Sequence, residues 1–172
     1  MDEMELDLES RRNIFQVVDD TPGIHFREIL RRLDYAKGTV QYHLRWLASH
    51  DLVETDRDGE YTRYYPARQL DSEDKEALSA LRRTYSREVV AHLVADGPLT
   101  TTELAERIDK SRSTVSWHLS RLHDADIVEK RRDGRRVEYA LVDRERLMKL
   151  YATYKESFTD RVLDNVLDVW NA

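Results

Sequence analysis

An ungapped internal repeat constrains this sequence more than any other feature. A shift of 75 positions lays Gly38-Thr39-Val40-Gln41-Tyr42-His43-Leu44-Arg45-Trp46-Leu47 on Ser113-Thr114-Val115-Ser116-Trp117-His118-Leu119-Ser120-Arg121-Leu122, and Thr, Val, His and both Leu coincide. The same shift aligns Glu28 with Glu103, Asp51-Leu52-Val53-Glu54 with Asp126-Ile127-Val128-Glu129, Arg57-Asp58-Gly59 with Arg132-Asp133-Gly134, and Tyr64 with Tyr139. Chance likeness between amphipathic helices would not keep one register through helices, turns and hairpins alike. The 172 residues therefore read as two small units of one design, each burying a modest core.

Each copy reads as helix, helix, helix, hairpin. In the second, Val89, Val90, Leu93 and Val94 mark a first helix that stops at Asp96-Gly97-Pro98. Thr100, with Glu103 three residues on, predicts a capping box for a second helix striped by Leu104, Ala105 and Ile108. A short turn from Asp109 to Arg112 leads into a third, whose Val115, Leu119 and Leu122 share one core-facing stripe. Next come Ile127-Val128, a turn at Asp133-Gly134 and the alternating Val137, Tyr139 and Leu141. That pattern predicts a two-stranded hairpin, because Asp-Gly supplies the positive backbone angles of a tight turn. The first copy repeats it with Leu52-Val53, Asp58-Gly59 and the aromatic Tyr61, Tyr64 and Tyr65.

The predicted fold class is mainly α with small β-hairpin wings: two tandem winged helix-turn-helix domains plus a C-terminal helix. The expected boundaries are an acidic tail over 1–9, a first domain over 10–66, a helical linker over 67–82, a second domain over 83–142 and an amphipathic helix over 143–172. The linker reading rests on Asp71-Ser72-Glu73-Asp74, a capping residue and acidic first turn, followed by Ala77, Leu78 and Leu81. The final segment carries Leu147, Leu150, Tyr151, Tyr154, Phe158, Val162, Leu163, Val166, Leu167 and Trp170 at mixed three- and four-residue spacing, with a break near Ser157. Such a stripe must be covered, either by the second domain or by a twin, and a homodimer through 143–172 is the favoured expectation.

In this architecture the third helix of each unit is the element that fits the major groove of double-stranded DNA. Its solvent-facing residues are Lys37, Thr39, Gln41, Tyr42 and Arg45 in the first copy, and Arg112, Thr114, Ser116, Trp117, Ser120 and Arg121 in the second. Glutamine can pair with adenine, arginine with guanine or phosphate, and hydroxyls with either. The hairpin tips are the more specific signal. Lys130, Arg131, Arg132, Arg135 and Arg136 crowd around Asp133-Gly134, and five cations on one loop call for an anion such as phosphate. The first hairpin offers only Arg57 and Arg63 among Glu54, Asp56, Asp58 and Glu60. Unequal roles follow, with the second domain making most phosphate contacts.

His43 and His118 occupy matching places, three residues after a core valine and four before a core leucine, and are expected to pack at the core edge. With His25, His50, His92 and His123 they form no metal-ligand cluster, and no cysteine exists to supply a thiolate or a disulfide. The sequence shows no phosphate-binding glycine loop and no glycine-flanked serine, so neither an enzyme nor a cofactor is expected.

Charge needs its distribution to be informative. The net charge is -6, yet five acids fall within the first nine residues, and 10–66 balances acids and bases. Arginine outnumbers lysine 22 to 6, an Arg-rich usage on an acidic background that resembles proteins of halophilic archaea. No run of about 20 apolar residues is present and the N-terminus is acidic, so a soluble cytoplasmic protein without a membrane partner is expected.

Lys37-Gly38-Thr39-Val40-Gln41-Tyr42-His43-Leu44 and Ser111-Arg112-Ser113-Thr114-Val115-Ser116-Trp117-His118-Leu119 resemble the recognition helix of ArsR- and MarR-like winged-helix regulators. Asp51-Leu52-Val53-Glu54 and Asp126-Ile127-Val128-Glu129 are similar to that family's helix-to-wing junction. In tandem, the copies resemble archaeal double winged-helix transcription regulators over roughly residues 10–142. The resemblance implies sequence-specific DNA binding, commonly as a dimer. The missing cysteines depart from the metal-sensing members. An alternative keeps the fold without the DNA: a winged-helix protein-protein module within a transcription or replication assembly. Contact with the transcription machinery is a further expected partnership.

Overall fold

The structure, a computed structural model, describes residues 3–158, 160 and 162–164, with side chains from residue 7 onward. The chain divides between Lys75 and Glu76 into two compact units. Unit one holds α1 (Glu3–Asp20), β1 (Ile24–His25), α2 (Phe26–Arg32), α3 (Lys37–Ser49), β2 (Val53–Asp58) and β3 (Tyr61–Pro66). The helix α4 (Ser72–Leu81) runs across the division. Unit two continues with α5 (Thr84–Asp96), α6 (Thr101–Ile108), α7 (Arg112–Asp124), β4 (Val128–Asp133), β5 (Arg136–Leu141), α8 (Arg144–Tyr154) and a 3-10 turn (Lys155–Ser157).

The repeat seen in sequence persists in long-range pairing. In unit one, β1 pairs antiparallel with β3 at Ile24–Tyr64 and β3 pairs with β2, giving the order β1-β3-β2. In unit two, β4 pairs with β5 and a single antiparallel bridge joins Leu99 to Tyr139, the positions 75 residues beyond Ile24 and Tyr64. The turns between the recognition helices and the wings match too. Asp51 and Asp126 sit at φ 55° and 54°, left-handed values that aspartate tolerates better than bulkier residues. They let Leu52 N donate to Leu47 O, and Ile127 N to Leu122 O, closing the same C-terminal cap on α3 and α7.

Capping distinguishes the copies. Thr100 accepts from Glu103 N while Glu103 reaches back to Thr100 N, the predicted capping box, and Ser111 Oγ accepts from Thr114 N at the start of α7. In unit one the equivalent positions are His25, whose Nδ1 accepts from Glu28 N at 3.3 Å, and Ala36, which offers α3 no side-chain cap.

Each unit has its own core. In unit one, Ile14, Val18, Ile24, Ile29, Val40, Leu44, Leu47 and Val53 are buried together, with Phe26, Trp46 and Tyr64 packed around them. In unit two the predicted stripe Val115, Leu119, Leu122 is fully buried beside Val89, Leu93 and Leu104. Burial of this apolar surface is what holds short helices that would be marginal alone.

Two segments differ from expectation. The acidic N-terminal stretch, read as a tail, is helical from Glu3. In the C-terminal segment, Leu147, Met148, Tyr151, Phe158 and Leu163 are already buried within the single chain. Arginines pin it there: Arg82 Nη1 donates to Ser157 Oγ at 2.7 Å, Arg87 pairs with Asp160, and Tyr151 donates to Asp164 at 2.7 Å. Much of the stripe as far as Leu163 is thus covered without a twin, while Leu150, Tyr154 and Val162 stay half-buried. Val166, Leu167 and Trp170, the remaining residues named for a dimer, lie outside the described residues.

Candidate nucleic-acid interface

The two recognition helices present comparable faces. On α3, Lys37, Tyr42 and Arg45 are exposed, with Thr39 and Gln41 half-buried. On α7, Arg112, Ser116, Trp117 and Ser120 are exposed, with Thr114 and Arg121 half-buried. Thr114 is partly committed already, since its hydroxyl lies 2.9 Å from Ser111 Oγ in the helix cap. Tyr42 and Trp117, equivalent under the repeat, keep 52% and 48% of their surface in solvent. Arg83 and Arg121 lie 4.9 and 5.1 Å from the Trp117 ring, within cation-π range.

The wings divide sharply. In unit one, Arg57 is exposed, with Nη1 3.5 Å from Thr62 Oγ1. Arg63, expected on the wing surface, is instead 3% exposed. Its Nε donates to Asp58 Oδ2 and its Nη1 to Gly23 O, both at 2.8 Å. That places it out of reach of any phosphate. Arg63 and Tyr65 are both buried on the same face of β3. With Arg63 withdrawn, the first wing displays Arg57 among Asp56 and Glu60.

In unit two the five cations are all exposed, but their partners differ. Arg131 pairs with Glu129, and Arg136 bridges Glu138 and Glu103. Lys130, Arg132 and Arg135 make no ion pair with an acid among the described residues. Three charges without an acidic partner among the described residues, rather than five, thus stand on the hairpin, and Lys130 lies 5.7 Å from the Tyr139 ring centroid. The Arg136 link also carries a consequence for α6. The backbone amide of Thr100 and then Arg136 hold the Glu103 carboxyl down at about 2, so the capping box stays ionised and tied to the wing.

Behind each recognition helix a buried histidine is tethered to the first helix of its unit. His43 Nδ1 accepts from Arg11 Nε at 3.3 Å, and His118 Nδ1 lies 3.0 Å from Ser86 Oγ. Arg11 and Ser86 are themselves 75 residues apart, so the tether belongs to the repeat. Burial first lowers both imidazole pKa values, helped by Arg11 at His43, where Asp7 opposes it, and by Arg83 at His118. Among the described residues no group of acids and histidines is arranged to hold a metal.

Comparison with known proteins matches both halves. A family described as N-terminal HTH domain covers residues 8–78, and one described as helix-turn-helix domain covers residues 85–131. The chain is a tandem winged helix-turn-helix protein. An uncharacterized HTH-type transcriptional regulator of Methanocaldococcus jannaschii is 28% identical over 131 residues, 76% of this chain. The chain spans 33% of that curated relative's length. Among solved structures, reduced HlyU from Vibrio cholerae is 26% identical with a TM-score of 0.42, over 48% of this chain and 90% of that one. A second HlyU structure from the same organism gives 24% and 0.43, over 49% and 91%.

For the tandem winged helix-turn-helix protein the tethered histidines imply an acid limit. A histidine whose folded pKa lies below its ordinary 6.5 favours the neutral form in the native state, so its stabilisation is complete above 6.5. Stability should fall as pH drops below that value and level off only below the folded pKa. His25, lowered by burial and then by Arg63, adds in the same direction. Melting temperatures between pH 7.5 and 5, set beside those of His43→Gln and His118→Gln, check this; a wild-type profile no steeper than the double variant's would refute it.

Proposed function

We propose that this chain is a sequence-specific, DNA-binding transcription regulator, with α3 and α7 in the major groove and the β4–β5 wing on the phosphate backbone. One observation carries the reading: each unit sets an open, polar and arginine-bearing helix face beside a hairpin, and the second hairpin holds three cations without acidic partners among the described residues. Unpaired guanidinium and ammonium groups on a protruding loop gain most from a polyanion, and base edges in the groove suit Gln41, Arg45, Arg112, Ser116 and Ser120. The helix-turn-helix matches in both halves and the name of the archaeal relative support the same reading. No catalytic role is part of it.

The units are proposed to act unequally. Unit two supplies most of the phosphate contacts, whereas unit one contributes chiefly base contacts through α3. The acidic surface of the first wing also suits a protein partner, which keeps the interaction-module reading for unit one alone. A dimer through residues 143–164 forms no part of the proposal, since Leu147, Tyr151, Phe158 and Leu163 of that stripe are buried within unit two.

Selection of bound duplexes from a genomic fragment library, performed with the full chain at several salt concentrations, tests the proposal. The expected result is a small set of enriched sites sharing a motif. Retention of no duplex above background at any salt concentration would overturn it.

A further inference from the structure

Unit one contains a cleft of about 430 Å³ between α3 and its wing, floored by the start of α2. That volume lies in the range of small-molecule sites, which run from about 300 to 1,000 Å³. Its lining residues combine the aromatic Phe26, Tyr61 and Tyr64 with the arginines Arg27 and Arg45. Neither arginine makes a hydrogen bond or ion pair with an acid among the described residues. Among the described residues Glu60 is the one acid in the lining, against Arg27 and Arg45, so those residues are cationic on balance. His25 stacks on Tyr61 with ring centroids 4.9 Å apart and, being neutral with Nδ1 occupied by Glu28 N, keeps its N–H on Nε2.

The internal repeat supplies the control. At the positions equivalent to Phe26, Arg27, Gln41 and Arg45, unit two has Thr101, Thr102, Ser116 and Ser120. At those equivalent to Glu60 and Tyr61 it has the wing cations Arg135 and Arg136. One copy therefore placed its positive charge on the hairpin, and the other drew charge and aromatic surface into the cleft. A requirement of the fold would have given both copies the same lining.

We propose that this cleft binds an aromatic anion of mononucleotide size: a planar ring held against Phe26, Tyr61 and Tyr64, and an anionic group held by Arg27 and Arg45. Rings prefer offset or edge contacts with aromatic side chains, and guanidinium forks match phosphate or carboxylate oxygens. A one-ring acid would leave most of the volume empty, which favours the larger ligand. Gln41 and Arg45 also belong to the proposed groove-facing surface of α3, so a bound ligand and DNA would compete for them. That competition rests on the DNA-binding reading; the binding site does not.

The test is a calorimetric titration of the full chain with the four common ribonucleoside monophosphates, benzoate and inorganic phosphate as separate probes. The expected result is that at least one mononucleotide binds with a Kd of about 1 mM or tighter, and at least about tenfold more tightly than benzoate or phosphate. Arg27→Ala with Arg45→Ala should weaken it at least about tenfold, whereas Lys149→Ala, which removes a charge from α8, should not. Thermal melting confirms that the double variant folds, and Arg45→Gln alone replaces it if it does not. Binding by no mononucleotide, binding indifferent to the arginine changes, or benzoate or phosphate binding as tightly as any nucleotide would each overturn the proposal. In a second arm, the tightest nucleotide is added to the chain on an enriched duplex and should displace it. Should no duplex be found, the titration still decides the cleft, so the two readings fail separately.

Discussion

Replacing Arg63 with alanine is expected to cost unit one about 3–5 kcal/mol, a large share of what a small domain possesses. The side chains of Arg63 and Asp58 are 4% and 6% exposed, so the truncation removes the Arg63 charge from beside a carboxylate that stays inside the wing. It also removes the donor to Gly23 O, a carbonyl at the left-handed turn before β1. Burial lowers the guanidinium pKa, the sign of a charge held away from water. Urea denaturation followed by circular dichroism measures the loss. Replacing both residues together, Arg63→Met with Asp58→Leu, should recover much of it, because no orphaned charge then remains. A loss below about 1 kcal/mol for R63A would show that water reaches the pair and that its role is minor.

The largest effect on binding is expected from the second wing. Lys130→Ala, Arg132→Ala and Arg135→Ala together should weaken affinity for duplex DNA roughly 100-fold at low salt, with each lost contact to a phosphate being charge-assisted. The slope of log K against log salt should flatten by about 2.7, near 0.9 for each of three phosphates. Arg131→Ala and Arg136→Ala are expected to change that slope less, since Glu129, Glu138 and Glu103 already meet those charges. Fluorescence anisotropy across a salt series provides both quantities. An unchanged slope in the triple variant would remove the wing from the interface, whatever the helices do.

These two predictions part company over arginines that look alike in sequence. Arg63 and Arg135 each lie in or beside a hairpin near an Asp-Gly turn. One is committed to Asp58 and Gly23, the latter 40 residues away, and the other is left to solvent. Arg136 is intermediate, because Glu103, 33 residues earlier, claims it for the helix cap.

The sequence by itself determined the repeat, the order of helices and hairpins, the buried stripe of α7, the Thr100–Glu103 capping box and the glycine turns of the wings. The repeat shows as self-similarity at a shift of 75 positions; the rest depend on residues within a turn or two of one another, or on a period of 3.6 or 2, and so are written locally. Only the tertiary structure decided which cations remain free, that Arg82 and Arg87 hold the C-terminal segment on its own unit, and that one copy encloses an arginine-lined cleft. Those outcomes turn on partners brought together from distant positions, where burial makes an unpaired charge costly and therefore selects which arginine is withdrawn from solvent.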